Sequence, residues 1–194
     1  MIRKYLLATC LLALPLGTLV ASGAAAGAST RTTAPVTFTG SVTCSISGAI
    51  TAKPPLTLDT PQTTTISLKG TATKCRGKIT QGGVKLVSGK ISGQIDVQNE
   101  DCFALTSGVP NPVGTITWRG KGGRVTPTSF TLSNGAGTFG TKKTTIRFSS
   151  AQTGSFAGTG KAKATVKKNE TQLINECGSK HGLGRLVVAS GRIS

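Results

Sequence analysis

The residues able to carry acid–base chemistry are few: one histidine, His181, and six carboxylates, Asp59, Asp96, Glu100, Asp101, Glu170 and Glu176. A Ser-His-Asp arrangement could run only through His181. The chain has neither the G-x-S-x-G turn that exposes a nucleophilic serine nor a Gly-Lys pair followed by Ser or Thr to cradle phosphate. Asp96, Glu100 and Asp101 form the only acidic cluster. Such a cluster could hold calcium or supply one side of a carboxylate pair for glycosidic cleavage, but no second carboxylate stands at an identifiable separation, so it reads as a solvated loop tip. His181 lies in the Gly-flanked stretch Gly178 to Gly182 and reads as an exposed turn residue. Its spacing from Cys177 would suit a metal, yet that cysteine is wanted for a disulfide. The expectation is a protein without catalytic residues, metal or cofactor. The enzymatic alternative is a secreted hydrolase drawing on Asp96, Glu100, Asp101 or His181.

Cations are the one abundance. The chain has 23 Lys and Arg against 6 Asp and Glu, a formal charge of +17, and two of them, Arg3 and Lys4, lie in the leader. Such a field draws a protein toward polyanions at low salt. The candidate binding residues are Lys161, Lys163, Lys167 and Lys168, with Lys142, Lys143 and Arg147. Strand alternation sends Lys161, Lys163 and Lys167 to one face. Further groups are Lys74, Arg76 and Lys78, and Arg119, Lys121 and Arg124. The plainer explanation is that charge keeps an apolar-poor β protein soluble and its strand edges apart. Stacking platforms for sugars or single-stranded nucleic acid are missing: Trp118 is the only tryptophan and its parity with Ile116 makes it a core residue. No specific nucleic-acid partner is expected.

Residues 1–28 read as a secretory signal peptide: a basic start at Arg3-Lys4, an apolar run from Tyr5 to Val20, and small residues to Ala28. Cleavage is expected after Ala26 or Ala28. Residues 29–35 read as a flexible mature N-terminus and 36–194 as one domain with no transmembrane anchor. Outside the leader remain Cys44, Cys75, Cys102 and Cys177. Two disulfides are the default in an exported chain; four cysteines permit three connectivities, which sequence alone does not decide, and the expectation is Cys44 with Cys75 and Cys102 with Cys177, where each closes one half of the chain.

These residues must be positioned by strands. Apolar side chains recur with a period of two through Phe38–Ile46, Ile66–Ala72, Ile91–Val97, Thr115–Arg119, Ser129–Ser133, Thr144–Phe148, Phe156–Val166 and Arg185–Ser190. Turn signals fall between them: Lys53-Pro54-Pro55, Gln81-Gly82-Gly83, Val109-Pro110-Asn111-Pro112, Lys121-Gly122-Gly123, Asn134-Gly135 and Ser149-Ser150. Asn134-Gly135 suits a hairpin. At Asn169 a cap with Gln172 three residues on predicts one or two helical turns toward Cys177, a plainer use of Asn169-Glu170-Thr171 than glycosylation. The segments Ile46–Ile50 and Ile91–Ile95 share I-S-G-x-I without a surrounding repeat. The expected fold is all-β: a mostly antiparallel β-sandwich, with a barrel as the alternative, one short helix near the C-terminus and two disulfides.

The order of a leader, Gly40 to Cys44 (GSVTC), Lys69 to Cys75 (KGTATKC), Asp101 to Leu105 (DCFAL), Gly114 to Trp118 (GTITW), Gly154 to Gly158 (GSFAG) and Cys177 before Gly182-Leu183 resembles small secreted all-β proteins of unknown function common in actinobacteria. The resemblance implies fold and export, and no activity. The reading is a secreted, non-catalytic protein associating with anionic cell-wall or extracellular polymers through a basic face. A third possibility is an interaction or inhibitor module presenting Val109 to Val113.

Overall fold

The computed structural model describes residues 33–58, 62–100, 102 and 112–194. Its elements are β1 (Val42–Leu56), β2 (Gln62–Gly77), β3 (Thr80–Gln81), β4 (Val84–Glu100), β5 (Val113–Lys121), β6 (Thr128–Phe139), β7 (Thr144–Gly154), β8 (Gly158–Val166), α1 (Glu170–Cys177) and β9 (Leu183–Ile193). The leader, residues 29–32, Asp59, Asp101 and residues 109–111 lie outside the described residues.

Successive long strands pair antiparallel. In addition β2 pairs with β4 across the two-residue β3, and β1 pairs with β9. Every long strand therefore has two neighbours, and eight strands close into a barrel. This corrects the expected β-sandwich. An inward row of apolar residues is required equally by a sandwich sheet and a barrel wall, and the two differ only in whether the outer strands find each other. Here they do, through long-range ladders that alternation does not encode.

The interior is stoppered at both ends. At one, the N-terminal segment carries Val36 and Phe38 across the mouth: Val36 bridges Val125, and Phe38 is fully buried. Phe156 packs between Phe38, to which it is tilted, and Trp118, which it meets edge to face, with ring centroids 5.6 and 5.5 Å apart. The polar atoms trapped there are paired, as burial demands: Trp118 Nε1 donates to Thr128 Oγ1 (2.8 Å), Thr128 Oγ1 donates to the Ser155 carbonyl, and the Phe38 amide donates to Ser155 Oγ (3.1 Å). At the other end α1 lies on Leu56, Val166, Leu183 and Leu186 through Leu173 and Cys177. It starts where the residues predicted, with Asn169 and Gln172 forming a reciprocal capping box. Cys44 bonds Cys75, joining β1 to β2, and Cys102 bonds Cys177, tying the segment after β4 to α1.

Three turn expectations are corrected. Lys53-Pro54-Pro55 lies inside β1, Asn134-Gly135 inside β6 with a register shift between Ser133 and Ala136, and Ser149-Ser150 inside β7. In a barrel a strand must coil as it runs, and prolines, small residues and irregularities supply the bend without ending the strand. Gln81-Gly82-Gly83 and Lys121-Gly122-Gly123 do mark turns. The shared I-S-G-x-I segments fall on β1 and β4, where each glycine faces another glycine: Gly48 opposite Gly70, and Gly93 opposite Gly114. A Cβ on Gly93 would stand 2.9 Å from the Val113 carbonyl, and one on Gly70 2.7 Å from that of Ser47. The motif repeats because the same close backbone approach occurs twice around the ring.

Candidate functional site

The outer wall of β7, β8 and β9 carries a basic row. Alternation turns Ala162, Ala164 and Val166 inward and leaves Lys161 and Lys163 exposed. The ladder then sets Arg147 of β7 directly opposite Lys163, and Lys163 directly opposite Arg192 of β9. Residues opposed across antiparallel strands have Cβ atoms roughly 5 Å apart, and like charges so placed repel. Lys142 and Lys143 extend the patch from the exposed turn between β6 and β7, and Lys167 from the bend after β8. Lys168 does not join it: its ammonium is engaged by both oxygens of Glu176 on α1, the only ion pair among the described residues.

Arg192 was not legible as a member of the row. Counting by twos from Leu186 and Val188 would turn it inward, but register shifts in the β9 ladders, between Thr165 and Val166 on one side and Ile46 and Gly48 on the other, reverse the parity. The remaining cations sit elsewhere. Lys85 opposes Lys121 on β4 and β5, and Arg76 pairs with Thr43 at the end of β2.

Among the described residues no carboxylate forms an ion pair or hydrogen bond with His181. Asp96 is exposed on β4 and accepts from Thr65 Oγ1 at 2.6 Å. Glu100 closes β4 opposite Gln62. Glu170 and Glu176 lie on α1, and His181 is exposed in the turn that follows. No cluster of three metal-ligating side chains occurs among the described residues. Among the described residues, the walls of three hollows, of about 130, 640 and 510 Å³, contain no Asp, Glu or His. No helix of the described residues is long and apolar enough to cross a membrane. Of the loop Val109 to Val113, only Pro112 and the exposed Val113 are described.

The interior is the second notable feature. Its apolar residues form two separate groups, one around Trp118 and one around α1, both touched by Phe148. Between them lies a cavity of about 130 Å³ whose wall draws on all eight long strands.

Comparison with protein-family models, with curated proteins and with solved structures finds no match. Fold and surface together define a class: a disulfide-bonded, closed antiparallel β-barrel with an uncompensated basic wall.

Proposed function

We propose that this is an exported, non-catalytic barrel protein that associates with anionic cell-wall or extracellular polymers through the wall of β7, β8 and β9. The observation that carries the reading is the line Arg147–Lys163–Arg192, three cations in register on adjacent strands with no carboxylate opposite any of them. Such a line is unfavourable in isolation and becomes favourable when a chain of anionic groups lies along it. Closure of the ring supports the reading. Lysines on open strands guard against edge-to-edge pairing, but all eight barrel strands are paired on both sides, so that duty does not account for the wall. Two disulfides accord with an oxidising compartment, and with the resemblance to exported actinobacterial proteins.

The test is chromatography on immobilised heparin, with binding to long-chain polyphosphate as a second polyanion. The protein is expected to bind both, with log affinity falling linearly with log salt. Replacing Arg147, Lys163 and Arg192 together by Gln is expected to flatten that slope by about two to three, while the same number of changes elsewhere, Lys85→Gln, Lys90→Gln and Lys121→Gln together, flattens it less. Equal losses from the two variants would replace a defined site with diffuse charge.

A further inference from the structure

The glycines and isoleucines of the barrel wall hollow it at mid-height. Gly48, Gly70 and Gly93 contribute backbone alone to the cavity wall. Inward-facing Ile46, Ile50, Leu68, Phe148 and Ala162 are only partly buried although they point into the barrel, and all of them border the 130 Å³ space. An eight-stranded barrel is just wide enough either to be filled by side chains or to hold one small ligand. This one is filled at both ends and not in the middle. The polar inward residues at the edge of the space, Ser150 and Gln152, bond to each other, Gln152 Nε2 donating to Ser150 Oγ at 2.9 Å, and the other polar residues of the wall, Ser47, Gln94 and Lys161, are exposed residues at its rim, so the lining is almost entirely apolar. An apolar cavity of about 150 Å³ stays dry and accepts benzene or xenon.

We propose that the barrel interior binds one small, uncharged, apolar molecule of about the size of a single six-membered ring. The way in is the seam between β5 and β6. There the ladder runs only from Val113 opposite Thr131 to Ile116 opposite Thr128, whereas β7 and β8 pair from Thr144 to Gln152. Outside that seam lies a hollow of about 640 Å³ that shares Leu68, Gly93, Val113 and Phe130 with the wall of the inner cavity. Gly93 and Gly114 face each other in the β4–β5 ladder at this point, so the partition between the two spaces has backbone alone there, flanked by Leu68, Gln94, Val113 and Phe130. Lys161 of the basic wall borders the rim of this space, but Arg147, Lys163 and Arg192 do not line it.

The experiment is titration of the full folded protein with benzene, followed by ¹³C-methyl NMR, together with ¹²⁹Xe NMR of the same sample. Saturable shifts confined to methyls that line the space, those of Ile46, Ile50, Ile66, Leu68, Ile91 and Ile116 among them, and a xenon resonance displaced from the dissolved gas, are expected. Ala162→Leu, which fills the space, should abolish both while the protein stays folded, and Ala162→Val serves if the larger side chain prevents folding. The glutamine triple variant of the basic wall should bind benzene as the wild type does. Absent or non-saturable methyl shifts, or shifts unchanged in the filled variant, would overturn the proposal.

Discussion

Arg147 and Lys163 face each other directly across the β7–β8 ladder on the outside of the barrel. Their repulsion is intrinsic to the folded ring and disappears when the chain unfolds, so the row lowers stability in the absence of an anion. Lys163→Glu replaces two repulsions, toward Arg147 and Arg192, with two attractions. It should stabilise the protein by about 0.5–1 kcal/mol and at the same time shorten retention on heparin. The gain, read as a rise in melting temperature, should shrink at about 1 M salt, where the Debye length falls to roughly 3 Å.

The two disulfides close loops of different length, with sequence separations of 31 and 75. On chain entropy, removing Cys102–Cys177 by paired serine substitutions should cost up to about 4.5 kcal/mol, and removing Cys44–Cys75 up to about 3.5. Urea titrations followed by Trp118 fluorescence give the order, and a larger loss for the shorter loop would contradict it. Hydrogen exchange should show α1 losing protection first in the Cys102→Ser, Cys177→Ser protein.

Thr128 is a relay between two buried groups, accepting from Trp118 Nε1 and donating to the Ser155 carbonyl. Thr128→Val keeps the volume and strands both partners. A loss of about 2–4 kcal/mol is expected from two unpaired buried groups, together with a shift of the Trp118 emission. Thr128→Ser, which keeps the hydroxyl, should recover most of the stability.

At α1, Asn169→Ala removes the acceptor for the Gln172 amide and the bond from Asn169 Nδ2 to the Thr141 carbonyl. The expected cost is about 1 kcal/mol by thermal or urea unfolding. Asn169→Asp keeps the acceptor beside the positive end of the helix and should cost less than Asn169→Ala.

Gly191 has no room for a side chain: a Cβ there would stand 2.5 Å from both Ile46 Cγ1 and the Lys163 carbonyl. Gly191→Ala should destabilise by about 1–3 kcal/mol through overpacking. The same change at Gly83, a turn position with open space around it but φ of +74°, tests backbone strain alone and should cost less.

What was legible in the residues was local. Parity placed Cys44, Ile66, Ala72, Ile91 and Trp118 inside and Lys161 and Lys163 outside. The Asn169–Gln172 pair located the helix, and cysteine spacing favoured the pairing that is present. What was not legible depends on partners distant in sequence. Whether β2 meets β4 and β1 meets β9 decides barrel against sandwich, and neither contact leaves a periodicity. Asn134-Gly135 and Lys53-Pro54-Pro55 carry turn chemistry, but the first is absorbed as a register shift in the β6–β7 ladder and the second lies between the last β1–β2 pair at Lys53 and the pairing of Leu56 with Leu183. The basic row was half legible: Arg147 and Lys163 could be named as cations, but their opposition, and the arrival of Arg192, exist only through register.

The pairing of β1 with β9 joins the first strand of the ring to its last. A nascent chain synthesised only as far as α1 therefore has no partner for either border of its unfinished wall and cannot trap itself in the final shape. A version truncated before Leu183 should leave two naked margins and aggregate rather than accumulate as a stable fragment.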